Sequence, residues 1–519
     1  MSERSGARFA FALILLLAAV LPVARSHAAD WIRAQTDHFV VYSNVGASTT
    51  KEYLEQLEGF KYLAELLLGS GSGSAAASTR FTLYLFDDQE VLKTVRPEFN
   101  QYIGGVYLHC VEGAQAYVWR PSASFSGQDP GLTILLHEYS HHVMFSRMRR
   151  FYPAWYVEGF AEYLSTVTLR NGTFAVGRAN EERLAQLTND RSGWIDSAVM
   201  LDPKQLAAAQ EAKRVNLFQF YAQSWLLTHF MLSDSKRAQG FNEYFERVGR
   251  GEDALSGFSN ATGIAPADLE RLLRSHLRKM PGVKVSVPQL PDTAITIVPL
   301  QKEQDDYLLE ASVIRTCPGE THGKKLLESL RAKRPQHQGD ITFRTELSRA
   351  ELLFGDADVA RRDLEILAAT DGATFDVFYL LGRSYENAAQ RNAEERDNFT
   401  NKASAEFLTA YKMDKLNAPN LYFLSRTLDD GGTPNKGVLN ASMGAAVLAP
   451  SVHAYAINAA VVSLRADNPD AAIRVMQPFA SDPHNPTSAA RVTAMITAIR
   501  DKKELAEVMS TLSGESPEE

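Results

Sequence analysis

Leu135-Leu136-His137-Glu138-Tyr139-Ser140-His141-His142 lies inside an unbroken, largely apolar stretch, Leu132 to Met148, that follows Asp129-Pro130. An aspartate before a proline is a helix start, because the carboxylate caps exposed N–H groups and the ring fits the first turn. His137 and His141 then stand four apart on one helical face, where both imidazoles reach a single metal ion, and Glu138 projects beside them toward water at that ion. His142 points about 100 degrees away and reads as a packing or surface residue.

A catalytic zinc site takes three protein ligands and keeps one position open. The next apolar segment, Pro153 to Thr168, reads as a second helix and carries Glu158 and Glu162 four apart, again on one face. Carboxylates on an apolar helix are costly to bury unless a cation or hydrogen-bond donors compensate them. Glu158 is therefore assigned to the metal and Glu162 to the support of a ligating imidazole through its other nitrogen. Two imidazoles with a carboxylate suit Zn2+.

Further out, Asp37 to Ser43 reads as a strand, and Thr50 to Leu68 as a helix with Leu54, Leu57, Phe60, Leu63, Ala64 and Leu67 at helical spacing. Arg80 to Phe86 and Ala116 to Trp119 alternate like strands, and Gly69 to Ser78 is a small-residue loop. Leu217 to Leu232 is a third helix too apolar to be solvated, Ala267 to Leu277 closes the unit, and the four prolines between Pro281 and Leu300 mark an extended stretch that links or edges domains. Arg147, Arg149 and Arg150 fit the positive end of a helix meeting its dipole.

Met1 to Arg8 carries two arginines, Phe9 to Leu21 is apolar, and Ser26-His27-Ala28 offers a small-residue cleavage site. That is an export signal, and its apolar run is well short of the about 20 residues a membrane span needs, so no stable membrane anchor is expected and the mature chain belongs in a periplasm or outside the cell. Composition is ordinary for a globular chain, with 45% hydrophobic and 22% charged among 519 residues, which excludes a disordered or polytopic membrane protein. A net charge of -8 leaves no positive field to draw nucleic acid. Cys110 and Cys317 are either one bridge or two buried thiols. No glycine-rich phosphate loop and no Gly-x-Ser-x-Gly elbow occurs, so nucleotide-dependent and serine-hydrolase mechanisms have no support.

With the Leu135 to His142 run, the strand Asp37 to Tyr42 and the block Pro153-Ala154-Trp155-Tyr156-Val157-Glu158-Gly159-Phe160-Ala161-Glu162-Tyr163, the chain from Trp31 to Leu277 resembles the gluzincin metallopeptidases, in particular the peptidase-MA-like domains of exported bacterial proteins. The resemblance implies His137, His141 and Glu158 as zinc ligands and Glu138 as general base. The segment Phe220-Tyr221-Ala222-Gln223-Ser224-Trp225 resembles the place where related enzymes set a tyrosine hydroxyl over the metal, which makes Tyr221 the candidate for steadying an oxyanion, with Tyr139, Tyr156 and Tyr163 as rivals. Aminopeptidase relatives grip the substrate's amino terminus with a glutamate in a Gly-Ala-x-Glu stretch, whereas Gly113-Ala114-Gln115-Ala116 has alanine there; Glu112 lies outside the motif. The departure argues for an endopeptidase, with the strand Ala116 to Trp119 holding an extended peptide along its edge.

From Gly323 onward the pattern changes to paired helices. Phe378, Leu381-Gly382 and Tyr385, then Ala403, Phe407 and Ala410 beyond an insertion, resemble the knobs of a tetratricopeptide repeat, with weaker copies around Ala360, Ala441 and Ala471. The expected architecture is an α+β zincin-like metallopeptidase domain followed by an all-α tetratricopeptide-like solenoid: signal peptide 1–28, peptidase domain 30–280, linker 281–322, repeat domain 323–515. The expected function is zinc-dependent hydrolysis of a peptide or protein substrate. The alternative is a catalytically silent zinc domain carrying a helical-repeat module that cups a protein partner.

Overall fold

The computed structural model describes residues 31–68, 80–99, 104–120, 130–146, 152–170, 173–178, 181–189, 193–280, 282–286, 293–481 and 486–513. The expected leader, the Gly69 to Ser78 loop, the Asp129 cap and the Arg147 to Arg150 cluster lie outside these residues. The architecture is mixed α/β with a helical C-terminal region.

The larger sheet contains β1 (Ile32–Gln35), β2 (Phe39–Ser43), β3 (Phe81–Phe86), β4 (Gly105–Cys110), β5 (Gly113–Trp119) and β9 (Thr296–Pro299), in the order β4-β5-β3-β2-β1-β9. Strands β2, β3 and β5 run parallel, and the outer pairings are antiparallel. A second sheet joins β6 (Thr168–Arg170), β7 (Thr173–Val176) and β8 (Val283–Ser286). The Pro281 to Leu300 stretch, read as a link or edge between domains, thus supplies an edge strand to each sheet.

Both faces of the larger sheet are covered. One carries Phe39, Val41, Phe81, Leu83 and Leu85 against helix α1 (Ala47–Leu67) and α2 (Pro130–Ser146). On the other, Tyr42, Tyr84 and Tyr117 stack across three neighbouring strands with ring centroids 5.1 and 5.0 Å apart. Their neighbours come from beyond residue 300: Gln115 Nε2 donates to the Ser312 carbonyl at 2.6 Å and Tyr117 Oη to Ser312 Oγ at 3.0 Å. With both faces covered, every residue of β3 except Thr82 is buried, so the strand does not alternate between a buried and an exposed face as its sequence suggested.

Helix α3 (Ala154–Ser165) follows Pro153, and every residue from Trp155 to Ser165 in it is buried. After α4 (Glu181–Thr188) comes α5 (Leu217–Leu232), capped by the Asn216 side chain, which accepts from the N–H groups of Phe218 and Gln219. Gly159 lets α3 and α5 meet: a Cβ there would stand 2.2 Å from Thr228 Oγ1 and 2.3 Å from the Ser224 carbonyl oxygen.

The C-terminal region is built from helix pairs. They include α6 (Ile341–Phe354) with α7 (Ala357–Ala368), α8 (Phe375–Arg391) with α9 (Arg396–Met413), and α10 (Ala418–Leu428) with α11 (Lys436–Leu448), followed by α12 (His453–Arg465). Gly382 and Phe407 pack as small against large, since a Cβ on Gly382 would come within 2.7 Å of the Phe407 ring. The insertion after Tyr385 is absorbed by extra helical length, α8 running on to Arg391 and α9 starting at Arg396.

Candidate metal centre

Helix α2 presents His137 and His141, and α3, packed across it, presents Glu158. The two Nε2 atoms are 3.2 Å apart; Glu158 Oε2 lies 3.4 Å from His137 Nε2, and Glu158 Oε1 3.7 Å from His141 Nε2. Ligand atoms held tetrahedrally at zinc distances are about 3.3 Å from one another. The spacings are close to that value, although the two imidazoles face different oxygens of Glu158, and one ligand atom from each of the three residues lies within 4.8 Å of the others. Glu158 is fully buried and His141 is 6% exposed, so a carboxylate lies in the protein interior with two imidazoles turned toward it. Burial lowers the His137 pKa, but Glu158, then Glu162 and Glu138, more than reverse this and push it up to about 9. The cluster attracts positive charge, and the donor set fits a divalent ion.

Glu162 stands behind His137. Its Oε1 is 3.5 Å from His137 Nδ1, on the side of the ring away from Glu158, and accepts a 2.6 Å bond from Arg183 Nη2 on α4. This is the arrangement in which a carboxylate orients a ligating imidazole through its second nitrogen. Arg183 also lies over the Tyr221 ring, 5.4 Å from its centroid.

Tyr221, on α5, is partly buried. Burial, followed by the negative charges of Glu158 and Glu162, raises its pKa well above that of an ordinary phenol, so its hydroxyl stays protonated and able to donate. The rings of the rivals pack on other aromatic side chains: Tyr139 on Phe39 and Phe81, Tyr156 on Phe241 and Phe245, and Tyr163 on His229. Glu138 follows His137 on α2, and its negative charge contributes to raising the pKa values of His137, Tyr221 and Tyr107. His142 stacks on Tyr139 and Phe81, and burial lowers its pKa to about 4, consistent with a packing role.

Three further residues in the surroundings of the centre escape a reading of sequence. Arg183 carries no signal beyond its place among charged neighbours. Tyr107, on β4, is half-buried and bonds at 3.1 Å to Ser451 Oγ, which belongs to the helical region more than three hundred residues away.

The edge-binding expectation for Ala116 to Trp119 needs correction. These residues lie in β5, which is paired on both sides, to β3 and to β4, so its backbone offers no edge to a peptide. The outer strand on this side is β4, and α2 packs against it: a Cβ on Gly105 would lie 3.7 Å from Ile134. Cys110 at the end of β4 forms a disulfide with Cys317, which resolves the two readings of the cysteines. Among the described residues, no helix is long and apolar enough to cross a membrane.

No curated protein and no solved structure matches the chain. Residues 133–251, which contain all six candidate site residues, match a family described as "Protein of unknown function (DUF1570)".

Proposed function

We propose that the chain is an exported zinc-dependent peptidase of gluzincin type, an endopeptidase rather than an aminopeptidase, with tetratricopeptide-like repeats in its C-terminal half. The observation that carries this reading is the buried His137, His141 and Glu158 set with donor atoms 3.2 to 3.7 Å apart. A zinc ion there supplies Lewis acidity and lowers the pKa of water. His137 and His141 hold the ion from α2, Glu158 holds it from α3, and Glu162 fixes the ring of His137. Glu138 accepts the proton of the attacking water and returns it to the leaving amine. Tyr221, kept protonated by its surroundings, donates to the oxygen on which negative charge develops. The Cys110–Cys317 bridge supports an oxidising compartment, in line with export.

The test is digestion of an unstructured protein by the purified, zinc-loaded chain, with and without a chelator, beside a Glu138→Gln variant that retains its metal. Cleavage that both the chelator and the substitution abolish supports the reading. A zinc-loaded chain that cleaves nothing leaves the silent zinc domain with its protein-binding repeats, and equal turnover by the variant removes Glu138 as the base.

A further inference from the structure

The turn between β4 and β5, Val111-Glu112, is inserted into the helical region. The Glu112 side chain is 2% exposed, and its carboxylate accepts from Arg349 Nη1 on α6 at 2.9 Å, from Arg383 Nη1 on α8, and from Tyr379 Oη on α8 at 3.2 Å. Tyr455 on α12 donates to the Val111 carbonyl at 2.7 Å, and Gly113 abuts Pro419 of α10. These contacts all come from the first helices of successive pairs, α6, α8 and α10, and from α12, so the face those helices share is already occupied by the chain's own hairpin. Two more tethers act on the same strand: the Cys110–Cys317 disulfide at its end and the Tyr107–Ser451 bond near its middle.

A buried carboxylate between two arginines is a costly device for stability alone, since the desolvation of the charges offsets much of their attraction. What such a cluster does well is fix a unique position. Here the thing positioned is β4, the outer strand, which packs beside α2 where Gly105 faces Ile134. We propose that the helical region is a clamp on β4, and that Glu112 is the positioning residue through which it holds this strand in register for an extended peptide substrate. The substrate half of the proposal rests on the peptidase reading above; the clamp half does not.

The test is hydrogen exchange of the full-length, zinc-loaded chain as wild type, as Glu112→Gln, and as Glu112→Gln combined with Cys110→Ser and Cys317→Ser, so that the disulfide cannot mask the effect. Peptides covering β4 should exchange about tenfold faster in the combined variant, while those covering α2 and α3 keep the wild-type rate and zinc stays bound at one equivalent. With a long peptide substrate, KM should rise about tenfold and kcat change less than about twofold. If Glu112→Gln fails to fold, Glu112→Gln with Arg383→Met, which removes the opposing charge as well, replaces it. Wild-type exchange across β4 in the folded combined variant overturns the clamp, as does acceleration spread equally over α2 and α3, which marks general loosening. A wild-type chain that exchanges as expected but cleaves nothing overturns the peptidase reading and leaves the clamp standing.

Discussion

His137 Nδ1 lies 3.5 Å from Glu162 Oε1, while the other nitrogen of the same ring faces Glu158 at 3.4 Å. The imidazole is gripped from behind by one carboxylate and turned toward another. Glu162→Gln keeps the shape and removes the charge, and its zinc affinity should fall about 10- to 100-fold. Competition against a chelating dye measures it; an unchanged affinity would show that Glu162 only packs.

Zinc uptake should also depend on pH in a fixed direction. Without the ion the surrounding carboxylates push His137 up to about 9, so below that pH the ring is protonated and has no lone pair for a metal. Binding must expel that proton, and affinity should drop about tenfold for each pH unit from 9 to 7. Calorimetry in buffers of different ionisation enthalpy counts the protons released, and a count of zero would contradict the assignment.

Tyr221→Phe removes one hydroxyl and nothing else. Because that hydroxyl is read as a donor to developing charge, kcat should fall about 10²- to 10³-fold with KM and zinc content little changed. A fall in zinc content instead would make Tyr221 a structural neighbour of Arg183.

Gly159→Ala tests how α2, α3 and α5 are brought together. The added methyl would meet a main-chain carbonyl of Ser224 at 2.3 Å, which cannot rotate away, so the helices must part at a cost of about 1–3 kcal/mol. The thermal midpoint should fall, and the zinc site should weaken with it because Glu158 precedes the substituted residue. An unchanged midpoint would mean that α5 can shift freely.

Acid should loosen the docking of the hairpin. Burial opposes ionisation of Glu112 and Asp376, but nearby arginines outweigh it, Arg383 and Arg349 for Glu112 and Arg315 and Arg349 for Asp376, which is lowered to about 2. Carboxylates with depressed pKa values stabilise the fold above their ordinary range and lose that contribution as pH falls through it toward 2. Urea midpoints should therefore decline between about pH 4.5 and 2, and more shallowly in Glu112→Gln.

The parts of this centre that sequence discloses are those a single helix determines. His137 and His141 are brought together by helical geometry itself, and Glu158 and Glu162 stand out because charge on an otherwise apolar helix demands a reason. Arg183 meets Glu162, and Tyr107 meets Ser451, only through the packing of distant segments, which leaves no periodic trace. The same limit misplaced the peptide edge: alternation marks Ala116 to Trp119 as a strand but says nothing of its neighbours, and β4, with Tyr107 and His109 between smaller residues, has too weak a pattern to announce itself. The stretch from Pro281 to Leu300 reads as a link or edge between domains and not as part of a sheet; of its prolines Pro299 stands in the edge strand β9, where one side of the backbone is left unpaired.

The hairpin bearing Glu112 leaves the ribosome long before the arginines that receive it, which lie between 349 and 383. Until they arrive, the amino-terminal sheet has a stranded acid at its tip and a bare tyrosine ladder on one face. A piece made of the first 280 residues alone would keep that acid and that ladder uncovered, and one that pairs Glu112 with both of its arginines has to reach Arg383.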